Sequence, residues 1–194
     1  MSNYSRFLTA TVICSQLLLS LFFFTNCAST QKAELKNYVS LDIAYPYYKM
    51  ILGKLENRLG KSLKSRGESH VTLITPPEFN VLKTKISPEQ IHKMAAVFFE
   101  TKPEFKSVCL GKFEKKILSE PQQVYFVVIE SKDFLEFRKS LALQSGLDKN
   151  TFDPDLFYPH VTIGFSERDL HYEDGAIKNA TACPADLKAI LKER

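Results

Sequence analysis

The sequence contains no tryptophan, and it has only four cysteines and four histidines in 194 residues. No two cysteines form a CxxC pair, and none stands at a zinc-ligand spacing from a histidine, which argues against a zinc-stabilised fold. Aromatic bulk comes instead from 15 phenylalanines and eight tyrosines. The chain also lacks low-complexity segments and any change of composition that would mark a second globular domain.

What is present fits a folded domain. Hydrophobic residues make up 44% of the chain and charged residues 25%, which is the balance of a soluble globular protein rather than a disordered one. The length suits one ordinary domain with a real core. The net charge of +4 is compatible with an anionic ligand but does not demand one.

Charge is absent from residues 7–26, FLTATVICSQLLLSLFFFTN, which follow a short stretch with one positive charge, Arg6. This is the layout of a secretory signal. Cys27 comes directly after the apolar run and before small residues, which resembles the lipobox of bacterial lipoproteins, although Asn26 stands where that box usually has a small residue. We therefore predict a lipoprotein-type signal peptide over residues 1–26, with lipid attached to Cys27.

Two alternatives remain open for this segment. A plain cleaved signal would give a soluble secreted or periplasmic protein, and the apolar run is also long enough for an uncleaved membrane-anchor helix. The predicted organisation is a signal peptide over residues 1–26, a tether over 27–37 and one domain over 38–194. We expect an exported monomer, held at a membrane through Cys27.

Two cysteines remain for the domain, because Cys14 lies in the predicted signal and Cys27 at its end. Cys109 and Cys183 are one candidate disulfide pair in an oxidising compartment. Two separate buried thiols fit their flanking residues equally well.

Hydrophobic periodicity after residue 37 predicts alternating strands and helices. Strands are expected over residues 38–44, 69–75, 105–117, 122–130 and 157–165. Helices are expected over residues 45–60, 87–102 and 131–146, with a short helix at the end of the chain. Ser87 is placed to cap the second helix, with Pro88 in its first turn. The pattern predicts an α+β domain with two similar lobes.

Two of the predicted strands carry nearly the same tetrapeptide, HVTL at residues 70–73 and HVTI at residues 160–163. Because strand side chains alternate between faces, each copy puts its histidine and threonine on one face and apolar residues on the other. This alternation places Gly164 on the polar face, where a glycine leaves room for a ligand, and Phe165 on the apolar face. If the lobes pack with pseudo-twofold symmetry, both polar faces meet at one cleft.

Two imidazoles across a cleft suit acid–base chemistry on a phosphodiester. One ring accepts a proton from the attacking water or hydroxyl, and the other donates a proton to the leaving oxygen. Histidine suits both roles because its pKa lies near neutrality. The hydroxyls of Thr72 and Thr162 can donate hydrogen bonds to non-bridging phosphate oxygens, and the arrangement requires no metal. A single copy would be interpreted as a half-buried strand with its polar face toward solvent. The presence of two copies is what favours an active site.

At these residues the sequence resembles the 2H phosphoesterase superfamily, whose signature is a pair of HxTx tetrapeptides and which includes RNA ligase-like 2',3'-cyclic phosphodiesterases. The resemblance covers roughly residues 38–170 and is strongest at YPHVTIGF, residues 158–165. It implies a bilobed α+β fold in which two antiparallel sheets face a central groove, with helices outside. It also implies hydrolysis or transesterification of a phosphodiester, often a 2',3'-cyclic end, without metal or cofactor. By the same resemblance, His160 is the general base and His70 the general acid.

Four further residues are candidate substrate contacts. His171, Arg168 and Lys178 follow the second motif, and Tyr45 lies where the first strand meets its helix. The alternatives are a solvated surface loop for the first three and a packing role for Tyr45, while the basic run that ends at Arg66 is interpreted as a solvated helix face. The expected partner is a nucleotide or short RNA with a cyclic phosphate end. The alternative function is a lipid-anchored module that binds a nucleotide or another anionic ligand without turnover.

Overall fold

The computed structural model describes residues 35–191. The predicted signal peptide, Cys27 and most of the predicted tether lie outside these residues and stay predictions. Within the described part of the chain, no helix is long and apolar enough to cross a lipid bilayer.

Five strands and four α-helices follow one another between residues 39 and 165. The strands are β1 (Val39–Asp42), β2 (His70–Ile74), β3 (Lys106–Ile117), β4 (Glu120–Glu130) and β5 (His160–Phe165). The helices are α1 (Tyr45–Leu59), α2 (Pro76–Leu82), α3 (Pro88–Glu100) and α4 (Lys132–Ser145). Three short 3-10 turns follow at Tyr172–Asp174, Ala180–Ala182 and Ala185–Leu187.

The ends of the helices lie where local sequence signals predict them. The Ser87 hydroxyl accepts a hydrogen bond from the backbone N–H of Gln90 at the start of α3 (3.2 Å). Ser131 caps α4 in the same way. Gly60 and Gly146 follow α1 and α4 with φ of 62° each, the left-handed conformation that glycine adopts at low cost.

Two segments differ from the sequence-based expectation. No helix is predicted directly after the strand over residues 69–75, but Pro76 and Pro77 form the first turn of α2 there, where proline's missing N–H costs nothing. Glu78 stabilises this start by accepting a hydrogen bond from the backbone N–H of Thr75 (2.8 Å). As far as the described residues reach, the tail that was expected to end in a short helix forms a 3-10 turn at Ala185–Leu187, where Leu187 is buried in the core.

The fold is α+β with two small antiparallel sheets, as predicted. β1 pairs with β2 in one sheet, and β3, β4 and β5 form the other in that order. β2 and β5 share no ladder, yet their Cα atoms approach within 8 Å. The backbone of Lys64, which precedes β2, exchanges two hydrogen bonds with Phe165 at the end of β5 (2.9 Å each). The two motif-bearing strands are therefore close neighbours.

The first motif strand contains a β-bulge. Ser40 of β1 pairs with Thr72, but the next pair joins Val39 to Ile74, which leaves Leu73 as an extra residue. An extra residue reverses the alternation of side chains beyond it. Leu73 and Ile74 are accordingly both fully buried, and the polar face of β2 ends at Thr72.

The second motif strand contains a bulge at the equivalent place. Phe126 of β4 pairs with Thr162, and the next pair joins Tyr125 to Gly164, which leaves Ile163 as the extra residue. In both strands, therefore, the extra residue is the one that directly follows the motif's threonine.

This second bulge corrects the predicted position of Gly164. An added Cβ there would lie 3.0 Å from the Cβ of Leu63 and 3.1 Å from Cδ1 of Leu52. Gly164 therefore faces α1 and the segment after it, and it leaves no room for a ligand beside His160. What requires glycine here is the close approach of these two leucines to the strand.

The core consists of two hydrophobic clusters. The larger includes buried residues of both sheets and all four helices. The smaller lies on the other face of β4 and is formed by Val124, Phe126, Val128, Leu170 and Ala176. Phe165 packs against this smaller cluster, on the face opposite to the one predicted, because of the same bulge. A disulfide joins Cys109 of β3 to Cys183, so the pair left open by the sequence is bonded.

Arg138 on α4 is fully buried and bonds both to β2 and to the segment that precedes β5. Its Nη1 donates to the carbonyl of Leu73, the bulged residue of β2 (2.8 Å), and its Nη2 donates to Glu78 Oε1 in α2 (2.7 Å). Its Nε donates to the carbonyl of Pro154 (3.0 Å), in the segment that leads into β5. The guanidinium also lies 4.6 Å from the ring centroid of Phe157.

Replacement of Gly164 by alanine tests the corrected strand face. We expect Gly164→Ala to lower the free energy of unfolding by about 1–3 kcal/mol, because the new methyl group overpacks Leu63 and Leu52. Denaturant unfolding measures this. Gly53→Ala, in the middle of α1 with no atom within 4 Å of the added Cβ, is the control and should be neutral or slightly stabilising. A neutral Gly164→Ala would contradict the assigned face.

Candidate active site

The two histidine-threonine pairs lie on the neighbouring strands β2 and β5. In each strand the histidine and the threonine are half-buried, whereas the valine between them is fully buried. The alternation predicted for these three positions is therefore confirmed, and it places four polar groups at the surface of two adjacent strands.

The first motif is open. Nδ1 of His70 lies 3.4 Å from the Oε1 of Glu68, whose side chain is 61% exposed. Within residues 35–191, neither Nε2 of His70 nor the hydroxyl of Thr72 has a hydrogen-bond partner. No unpartnered side-chain nitrogen or oxygen in this part of the chain is buried, so both atoms reach solvent. They are available to a ligand.

The second motif is engaged. Nδ1 of His160 lies 2.8 Å from the carbonyl oxygen of Tyr158, and Nε2 lies 3.1 Å from Nζ of Lys178. The hydroxyl of Thr162 donates to Oδ2 of Asp169 (3.0 Å). The second motif thus has protein partners for all three polar atoms that the first leaves exposed or weakly paired.

Asp169 is the centre of a buried polar cluster. Besides the Thr162 hydroxyl, it accepts hydrogen bonds from Nζ of Lys178 (2.9 Å) and Nη2 of Arg66 (3.0 Å). Asp169 is 8% exposed and Lys178 only 1%. Burial by itself raises the pKa of Asp169, but the ammonium of Lys178 and the bonds it makes outweigh that and hold the pKa at about 2.

His160 stays uncharged in this cluster. Burial, and after it the neighbouring ammonium of Lys178, holds the pKa of His160 well below its usual range, at about 3. The carbonyl of Tyr158 and the carboxylate of Asp169 act in the opposite direction and are weaker. At neutral pH the ring is therefore neutral.

The remaining sequence-predicted residues are spread around this cluster. His171 is exposed, and its backbone N–H donates to Asp174 (2.9 Å). Both terminal nitrogens of Arg168 pair with the carboxylate of Asp174 (2.9 and 2.6 Å), so this side chain stabilises the turn after β5. Tyr45 is half-buried at the first position of α1.

Two interpretations of basic residues are corrected. Lys178 is not on a solvated loop but inside the protein, because it pairs with the buried Asp169. Arg66 is not on a helix face; it follows α1 and reaches the same carboxylate. Sequence reasoning missed Asp169 altogether, because a lone acidic residue in a charged segment looks the same whether it is solvated or buried. The neighbouring Leu170, which is fully buried, was the one local signal.

A family model described as the Swiss Army Knife 2H phosphoesterase domain matches residues 37–171. The chain belongs to the 2H phosphoesterase family. Neither a search of curated proteins nor one of solved structures gives a match. The matched range contains both motifs of this 2H phosphoesterase and Asp169, while Lys178 lies beyond it. Family membership supports a phosphodiester-hydrolysing function in general.

The buried ion pair between Asp169 and Lys178 in this phosphoesterase should contribute strongly to the free energy of unfolding. We expect Asp169→Asn to lower the free energy of unfolding by about 3–5 kcal/mol, because it leaves the ammonium of Lys178 buried without a counter-charge. The double variant Asp169→Asn/Lys178→Met should recover part of that loss, since it removes both charges. Glu167→Gln is the control: this carboxylate pairs with Lys64 but is 65% exposed, so the change should be below about 1 kcal/mol. A double variant less stable than Asp169→Asn would contradict the pairing.

Stability should fall as the solution is acidified. The pKa of folded His160, about 3, lies below its ordinary value of 6.5, so the unfolded chain binds more protons between these values and stability falls as pH drops through that window. The depressed pKa of Asp169, about 2 against 3.8, adds a further loss below pH 3.8. Unfolding curves from about pH 7 to 4 measure the first effect.

The matched variant for this titration is His160→Gln, whose amide can replace both hydrogen bonds of the neutral ring and cannot be protonated. Its stability should decline less between about pH 6.5 and 4 than that of the wild type. Parallel curves for the two proteins would show that His160 is not held neutral.

Proposed function

We propose that this 2H phosphoesterase hydrolyses a cyclic phosphodiester, a 2',3'-cyclic nucleotide or RNA end, by metal-independent acid–base catalysis. The observation that carries the proposal is the presence of two half-buried histidine-threonine pairs on neighbouring strands. Acid–base catalysis of a displacement at phosphorus needs two such proton carriers.

The difference between the two motifs supports separate roles for the histidines. His160 is neutral and has no proton on Nε2, so it fits the general base that accepts a proton from the attacking water. His70, whose Nε2 reaches solvent, fits the acid that donates a proton to the leaving ribose oxygen as its bond to phosphorus breaks. The hydroxyls of Thr72 and Thr162 would donate hydrogen bonds to the non-bridging oxygens.

The proposed partner is a nucleotide or a short RNA that ends in a cyclic phosphate. His171 and Tyr45 are the proposed contacts to the rest of the substrate, because His171 is exposed and Tyr45 is half-buried. Arg168 is a weaker candidate, since its guanidinium is bonded to Asp174. We propose further that the protein is exported as a monomer and held at a membrane by a lipid on Cys27, with a soluble secreted or periplasmic form as the alternative.

A second function is a lipid-anchored module that binds a nucleotide or another anionic ligand without turnover. The engaged state of the second motif favours it, because Thr162 and both ring nitrogens of His160 already have partners in the protein.

Turnover tests the first proposal. The full chain, incubated with 2',3'-cyclic nucleotides in excess chelator, should release a nucleoside monophosphate. We expect His160→Ala and His70→Ala each to reduce the rate by about 10²- to 10⁴-fold, the usual contribution of a general acid or base. His92→Ala is the control and should keep full activity, since His92 lies on α3 and bonds to the carbonyl of Lys36.

Two outcomes would contradict the enzyme proposal: no turnover by the wild type, or full turnover by His160→Ala. Thermal-shift measurements with the same nucleotides then decide between the two functions. Stabilisation without product over a long incubation would support the binding module.

A further inference from the structure

Lys178 is a charged side chain that is almost completely buried. Its side chain is 2% exposed, and an ammonium removed from water is costly unless it is paired. Asp169 provides the counter-charge at 2.9 Å. Nζ also lies 3.1 Å from Nε2 of His160 and 5.6 Å from the ring centroid of Phe126. The ion pair alone would not require the contact with the histidine.

The backbone on both sides of Lys178 is fixed. Ala176, two residues before it, is buried in the smaller hydrophobic cluster. Cys183, five residues after it, is bonded to Cys109 of β3. Lys178 is therefore anchored between a packed residue and a disulfide, and its ammonium is held against the second motif.

The hydrogen bonds of His160 determine where its proton sits. A carbonyl oxygen can only accept, so the bond to Tyr158 requires a hydrogen on Nδ1. An ammonium can only donate, so the bond from Lys178 requires a lone pair on Nε2. The two bonds together are compatible with the neutral ring protonated at Nδ1 and with no other form.

The charged groups around His160 lie at different distances from its ring. Lys178 is in direct contact with Nε2, while Asp169 and His171 act on the ring from a greater distance. Arg66 pairs with Oδ2 of Asp169, the oxygen that Lys178 does not bond. Among residues 35–191, no cation contacts His70 in this way, and its near neighbour is the exposed carboxylate of Glu68. Lys178 is therefore a charge that the second motif has in direct contact and the first motif lacks.

We propose that Lys178 is a positioning residue that locks His160 as the neutral, Nδ1-protonated ring and releases Nε2 when an anionic phosphate takes over its hydrogen bond. In that exchange the N–H of Lys178 turns from Nε2 to a phosphate oxygen, and Nε2 then accepts a hydrogen bond from water. No covalent bond changes in the exchange. The part of this role that concerns turnover rests on the proposed function, whereas the lock itself does not.

This arrangement makes the base respond to the substrate's charge. A negative phosphate beside Lys178 favours the protonated form of His160, so proton uptake by the ring becomes easier once the substrate is bound. An uncharged ester of the same shape would leave Nε2 bonded to Lys178. The proposed substrate class is accordingly a phosphodiester that keeps its negative charge.

An NMR titration tests whether Lys178 holds His160 neutral and Nδ1-protonated. The full chain is labelled with ¹⁵N-histidine, and the ring nitrogens of its four histidines are followed as the pH is lowered. In the wild type, His160 should stay neutral and Nδ1-protonated to about pH 4. In Lys178→Met, which has a similar length and no charge, its midpoint should rise by about one pH unit, because burial, the larger cause of the lowered pKa, remains. His160→Gln identifies the signal.

Lys178→Gln separates the charge from the hydrogen bond. Its amide can still donate to Nε2, so the ring should keep its hydrogen on Nδ1 while its midpoint rises as in Lys178→Met. His92 serves as the internal control, and its ¹⁵N signals should be the same in all these proteins at each pH. Added inorganic phosphate should raise the midpoint of His160 in the wild type and have no such effect in Lys178→Met.

Three results would overturn the proposal. They are an ordinary midpoint for His160 in the wild type, an unchanged midpoint in Lys178→Met and Lys178→Gln, and the absence of any response to phosphate in the wild type. If Lys178→Met does not fold, the titrations of the wild type and of Lys178→Gln still test the proposal for Lys178. The measurement needs no turnover. If the titrations contradict the role of Lys178 but the protein hydrolyses cyclic nucleotides, the proposed function stands. If the titrations agree with that role but no turnover is found, only the proposed function fails.

Discussion

The buried guanidinium of Arg138 is the constraint on which the geometry of both motif strands depends. A charge without exposure must have all its donors paired, and Arg138 finds its partners in three separate segments. These are the bulge of β2, the first turn of α2, and the chain that leads into β5. Since Glu78 also caps α2, one cluster sets the end of the first motif and the approach to the second.

The two bulges then limit what each motif strand exposes. Leu73 and Ile163 are the extra residues of β2 and β5, and both directly follow the threonine of the motif. Beyond them the side chains turn back into the core, so each strand offers a histidine and a threonine and nothing further.

The two strands resemble each other in backbone, but their surroundings differ. The first motif faces solvent, whereas the second is bonded to Asp169 and Lys178, which come from the segment after β5. A symmetric pair of histidines would have interchangeable roles in acid–base chemistry. Burial and a cation beside the ring of His160 remove that equivalence, because both disfavour the protonated form of His160.

The sequence by itself determined the class of fold, helices α1, α3 and α4, and the His-x-Thr pairs, because periodicity and capping are local properties of the chain. Only the tertiary structure decided that the prolines after β2 begin a helix, that Gly164 faces the core, and that Cys109 is bonded to Cys183. It alone also decided that Lys178 is buried. Asp169 and Arg66 are 103 residues apart, and a local pattern cannot report which distant charges meet when burial makes pairing necessary.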